Sequence, residues 1–107
     1  MSATTAPIQH CDSMADVRRH IDALDARIVP LLAERGAYVA QAARIKQRAT
    51  EVHDQPRIDA IIDRVKAMAR AHGAPEAVIE ATYRAMIDAF IAFEHGEFAR
   101  LHPGEPS

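Results

Sequence analysis

The sequence predicts an all-α protein of three helices, long, short and long, on three observations. Apolar residues recur at alternating steps of four and three, the spacing of one helix face. No segment alternates apolar and polar residues as a half-buried strand would. Trp is absent and aromatics make up 5% of the chain, so the core must be built from Leu, Ile, Val, Met and Ala, the material of helix bundles.

Residues 1–11 are small and polar with one proline and read as a flexible arm. Asp12 or Ser13 can cap the first helix. Its apolar stripe runs through Val17, Ile21, Leu24, Ile28, Leu31, Tyr38, Ala42 and Ile45, and Arg35 fills the one gap. Pro30 lies inside this helix, where it removes a backbone donor and costs roughly 3 kcal/mol in isolation. The stripe stays in phase across it, so a local kink is expected, with a break near residue 30 as the competing reading.

Ala49 to Gln55 reads as a loop. Asp54 can cap a second helix with Pro56 in its first turn. That helix passes through Ile58, Ile61, Ile62, Val65 and Met68 to His72, and Gly73 stops it. Pro75 starts the third helix, whose stripe is Ile79, Tyr83, Met86 with Ile87, Phe90 and Phe98. Glu94 occupies a position on that stripe. Residues 12–101 thus form one helical domain, and 102–107, with two prolines and a glycine, read as a flexible tail.

The length of 107 residues suits a single domain. Apolar content of 49% and charged content of 26% are those of a soluble globular protein. The net charge is −2 and no basic stripe stands out, which argues against nucleic acid as a partner. Cys11 is the one cysteine, so no internal disulfide can form. Met1 to His10 has no charged region followed by an apolar one, and no apolar run is long enough to cross a membrane. The cytoplasm is the expected compartment.

A first helix of about 35 residues extends about 50 Å. A compact monomer of this length has a diameter of roughly 35 Å. The helix therefore overhangs, and a second copy of the chain is the expected cover for its seam. The alternative is that the helix breaks at Pro30 and folds back.

Arg35 and Glu94 both interrupt apolar stripes. A buried ion needs a counter-group or a ligand, so these two either pair with each other or a neighbour, or serve a bound anion. Lys46 follows Arg35 by eleven residues and lies about 20° from it around the helix, so both can serve one pocket. Arg18 precedes Arg35 by seventeen residues and points about 100° away, a direction that could reach a partner's pocket. Arg57 stands in the first turn of the second helix, where the dipole disfavours a cation, a mild hint of an anionic partner. The six histidines are scattered, no His/Cys/Asp/Glu set has metal-ligand spacing, and no Gly-rich phosphate loop exists. Neither metal nor cofactor is expected.

With these residues in view the chain resembles the all-helical (type II, AroQ) class of chorismate mutases over about residues 12–100. The resemblance is carried by Val17-Arg18-Arg19-His20-Ile21-Asp22-Ala23-Leu24-Asp25, Leu31-Leu32-Ala33-Glu34-Arg35 and Ala43-Arg44-Ile45-Lys46. Cys11-Asp12-Ser13 and Tyr38-Val39-Ala40-Gln41-Ala42-Ala43 look closest to the branch that includes isochorismate pyruvate lyases.

The resemblance implies an intertwined homodimer with chorismate as its substrate and prephenate as its product. Arg18 of the partner subunit would hold one substrate carboxylate and Arg35 of the same chain another. Lys46 would contact a carboxylate and the ether oxygen, Arg57 would lie beside the substrate, and Asp54 matches a position near the ring hydroxyl. At position 58 the mutases usually carry Glu, and here Ile58 resembles the lyase branch. At position 94 many carry Gln where this chain has Glu94, which can donate to the ether oxygen only when protonated. The alternatives are elimination of pyruvate from isochorismate to give salicylate, and a non-catalytic helical dimerisation module with Arg35 and Glu94 as buried pairs.

Overall fold

A computed structural model describes residues 7–105; positions 1–6 of the expected arm and 106–107 of the expected tail lie outside them. The described residues form α1 (Met14–Ile45), a 3₁₀ turn (Ala49–Glu51), α2 (Gln55–His72) and α3 (Glu76–Leu101), and contain no strand. The fold is all-α, long, short and long.

The ends of the helices follow from their capping residues. Ser13 has extended backbone and its Oγ accepts from the Asp16 N–H at 3.1 Å, which starts α1. Asp54 does the same for α2, accepting from the Arg57 N–H at 3.0 Å, with Pro56 in the first turn. Gly73 ends α2 in the left-handed conformation at φ 69°, which costs a glycine nothing. Pro75 caps α3, and the N–H groups of Val78 and Ile79 bond back to its carbonyl.

α1 runs unbroken through Pro30, so the break and fold-back are excluded. Between α1 and α2 the expected loop contains the short 3₁₀ turn. Its cause is local: the Glu51 carboxylate accepts from the N–H groups of Gln47 and Arg48, closing the turn. The turn buries Ala49 and Val52.

α3 packs against both α1 and α2, while α1 and α2 do not pack on each other. Two apolar clusters result. One joins Ala43, Ala49, Val52 and Phe98; the other joins Ile61, Ile62, Val65 and Ile87, and Ile91 touches both. His102 closes the first cluster, stacking on Phe98 at 4.2 Å with its Nε2 2.9 Å from the Ala43 carbonyl oxygen. Glu80 ties α3 to α2 through Lys66 at 3.4 Å, and bonds Arg84 one turn on within α3 at 2.9 Å. The Arg84 hydrogen bond first, and the Lys66 charge second, hold its carboxyl below the usual range.

The single seam predicted along α1 divides into two faces. Tyr38 and Ile45 stay 70% and 65% exposed. The residues turned inward are each one position on, Val39, Ala43 and Lys46, about 100° further round the helix. Small side chains at Gly36, Ala40 and Ala43 allow α3 to approach on that side, which bulky Tyr38 and Ile45 would prevent. The first half of α1 is largely uncovered: every residue from 21 to 34 is exposed, including Ile21, Leu24, Ile28 and Leu31. The molecule is accordingly elongated, 58 × 26 × 23 Å. Its radius of gyration is 17.5 Å, against about 13 Å for a compact chain of this length. Among the described residues no helix is long and apolar enough to cross a membrane.

Candidate functional site

A cavity of about 350 Å³ opens where the second half of α1, the first half of α2 and the middle of α3 meet. Each helix contributes to it for a reason visible in its own pattern. α1 presents Arg35 and Lys46 because their eleven-residue separation returns to nearly the same side of the helix. α2 presents Arg57, Ile58, Ile61 and Arg64 from its first three turns, with the capping Asp54 at its mouth. α3 presents Ile87, Phe90, Ile91 and Glu94 along one stripe. Val39 and Val52 complete an apolar wall.

Lys46 and Glu94 meet at the centre. Lys46 Nζ donates to Glu94 Oε2 at 2.7 Å. The Glu94 side chain is 9% exposed and that of Lys46 27%, so the carboxylate is removed from water and this hydrogen-bonded ammonium compensates it. Lys46 also ends α1, its backbone extended and its N–H bonded to the Ala42 carbonyl, which fixes where the side chain leaves the helix.

Among the described residues Arg35 meets no carboxylate; its guanidinium carbon lies over the Phe90 ring, 4.9 Å from the centroid. Arg57 and Arg64 likewise lie at the pocket without an ion pair among the described residues. Asp54 has one oxygen engaged by the Arg57 backbone, so its capping role and its place at the pocket coincide. The lining carries four cations against two carboxylates, while the whole chain is net negative at −2. The excess inside the pocket suits a small dianion with an apolar body.

The structure therefore gathers Arg35, Lys46, Asp54, Arg57 and Glu94 around one cavity and leaves Arg18 outside it. Arg18 is exposed on the bare half of α1, about 25 Å along the helix axis from Arg35. Ile58 is in the wall of the cavity. Arg64 is the cation that sequence reasoning missed. It follows Arg57 by seven residues, about 20° away around α2, a spacing that could have marked it. Among the described residues no three His, Cys, Asp or Glu side chains come together as metal ligands would.

Comparison with known proteins gives the arrangement a context. Residues 17–95 match the family described as chorismate mutase type II. A curated protein of Methanocaldococcus jannaschii, named chorismate mutase, is 32% identical over 66 residues. That match covers 61% of this chain and 67% of the relative.

Proposed function

The chain belongs to the chorismate mutase type II family, and from that premise we propose that its pocket binds chorismate and rearranges it to prephenate. The reading is carried by one observation: unpaired cations from α1 and α2 surround an apolar cavity with Lys46 and Glu94 in contact inside it.

The reaction breaks the ether carbon–oxygen bond and forms a carbon–carbon bond within one molecule. It needs a folded substrate and stabilisation of negative charge on the departing oxygen. Arg35 receives one carboxylate and holds the side chain over the ring, a near-attack arrangement. Arg57 and Arg64 supply positive charge on the opposite side. Lys46 contacts a carboxylate and the ether oxygen, where its donor gains strength as charge develops. Glu94 contributes a second hydrogen bond to that oxygen in its protonated form. Asp54 faces the ring hydroxyl, and Ile58 packs against the ring.

The second substrate carboxylate calls for an arginine clamp of its own beside the contact from Lys46. We assign that role to Arg18 of the partner subunit, in a homodimer formed over the exposed Ile21, Leu24, Ile28 and Leu31. The bare half of α1, an elongated shape and the spacing of Arg18 from its own pocket support this arrangement. The expected compartment is the cytoplasm.

A paired assay with chorismate and with isochorismate tests the reading. Prephenate from chorismate supports it. Salicylate from isochorismate alone would reassign the pocket to a lyase, and no product from either would overturn the enzymatic reading.

A further inference from the structure

Phe90 takes no part in the chemistry described above, yet it both lines the cavity and lies under the Arg35 guanidinium. It stands one turn before Glu94 on α3 and lines the pocket. Arg35 lies over its ring at 4.9 Å, inside the range of a cation–π contact.

Two neighbours fix the ring in that position. A Cβ placed on Gly36 would lie 3.1 Å from Phe90 Cε1, so the ring edge fills space that a side chain at 36 would take. Phe93 meets Phe90 edge to face, with centroids 6.4 Å apart and planes at 81°. The residue next to Arg35 in sequence thus makes room for the ring on which Arg35 rests.

The choice of a ring has a chemical consequence. A carboxylate partner would hold Arg35 equally well but would cancel its charge and occupy its donors. An aromatic face accepts the cation without using a hydrogen-bond acceptor, so the N–H groups remain available to an incoming carboxylate. Ordering the long side chain in the empty pocket also lowers the entropy lost on binding.

We propose that Phe90 is a positioning residue that preorganises Arg35 for a substrate carboxylate, its ring seated in the space beside Gly36. This rests on the functional reading above, in which Arg35 receives that carboxylate.

The test is a double-mutant cycle on chorismate turnover. Phe90→Leu should raise KM about tenfold and leave kcat within about twofold, since the contact acts on binding. Phe90→Tyr keeps the ring face and should stay near the parent KM. In an Arg35→Ala background Phe90→Leu should change KM less than about twofold, because its route of action is gone. An equal loss in both backgrounds would mean that Phe90 merely supports the fold, and would overturn the proposal. In the free protein, the Arg35 Nε–H resonance should carry a ring-current shift that Phe90→Leu removes and Phe90→Tyr retains; an unshifted resonance would also overturn it. An unmutated chain that leaves chorismate unchanged defeats the functional reading and the positioning role together. Active parent enzyme with an unaltered Phe90→Leu KM defeats the positioning role alone.

Discussion

Lys46 Nζ and Glu94 Oε2 lie 2.7 Å apart across the α1–α3 interface, the closest approach of two charged side chains inside the cavity. Each sits at the end of a different argument. Lys46 terminates α1, and Glu94 interrupts an apolar stripe of α3. On the proposed reading a dianion entering the pocket would share the ammonium with Glu94, and ligand binding and catalysis would meet at this pair.

Removing the ammonium should cost rate more than affinity. Lys46→Ala is expected to lower kcat by about 10²–10³, the size seen when one donor to a developing oxyanion is lost. KM should change far less, because the contact strengthens toward the transition state. Steady-state kinetics on chorismate decide this, and unchanged kcat with a raised KM would contradict it.

The proton on Glu94 sets the second expectation. Lys46 touches it directly, and Arg35 and Arg57 share the cavity. A carboxylate there can only accept, whereas a protonated acid can donate to the ether oxygen. Glu94→Gln, whose amide can donate to that oxygen, should therefore keep turnover at or above the parent level, whereas Glu94→Ala should lose it. A Glu94→Gln chain as slow as Glu94→Ala would remove this hydrogen bond from the mechanism.

Arg18 offers a test by mixing. Arg18→Ala and Lys46→Ala should each be nearly inactive alone. If Arg18 acts across subunits, a hybrid dimer carries one intact site, built from the Lys46-bearing pocket of one chain and the arginine of the other. Equal amounts, unfolded and refolded together, should recover about a quarter of parental activity in a two-fold symmetric dimer. Absence of recovery would place Arg18 in its own chain's site or outside catalysis.

Acid should loosen the α2–α3 contact in a predictable direction. The Glu80 carboxyl is lowered by Arg84 and Lys66. A depressed folded value means that its stabilisation is present above the ordinary Glu range, near 4.3, and is lost as pH falls through the lowered value. Glu80→Gln should thus melt slightly below the parent at neutral pH, with the difference vanishing in acid. The effect is small because the group is exposed. A difference that grew on acidification would contradict the assignment.

The features most legible in the sequence were those set by neighbours along the chain. Ser13, Asp54, Gly73 and Pro75 mark helix ends because each satisfies or relieves the backbone locally. Arg35 and Glu94 were legible as charges at apolar positions, and Lys46 by its eleven-residue spacing from Arg35. The inward face of α1 was not, since Tyr38 and Val39 are equally plausible core residues until the approach of α3 selects the side with Gly36 and Ala43. Arg64 escaped notice because an arginine near the middle of a helix is ordinarily solvated, and only the fold brings it to the cavity. The contact of Gly36 with Phe90 joins residues on different helices, and no periodicity within either one encodes it.

The bare stretch of α1 from 21 to 34 bears on how the protein would behave in solution. If a second copy covers it, much of the apolar burial that sustains the native state arises only on encounter. Folding and association then become one equilibrium, and the melting temperature climbs with protein concentration. Dilution would erode structure and turnover together, making abundance itself a control on the enzyme.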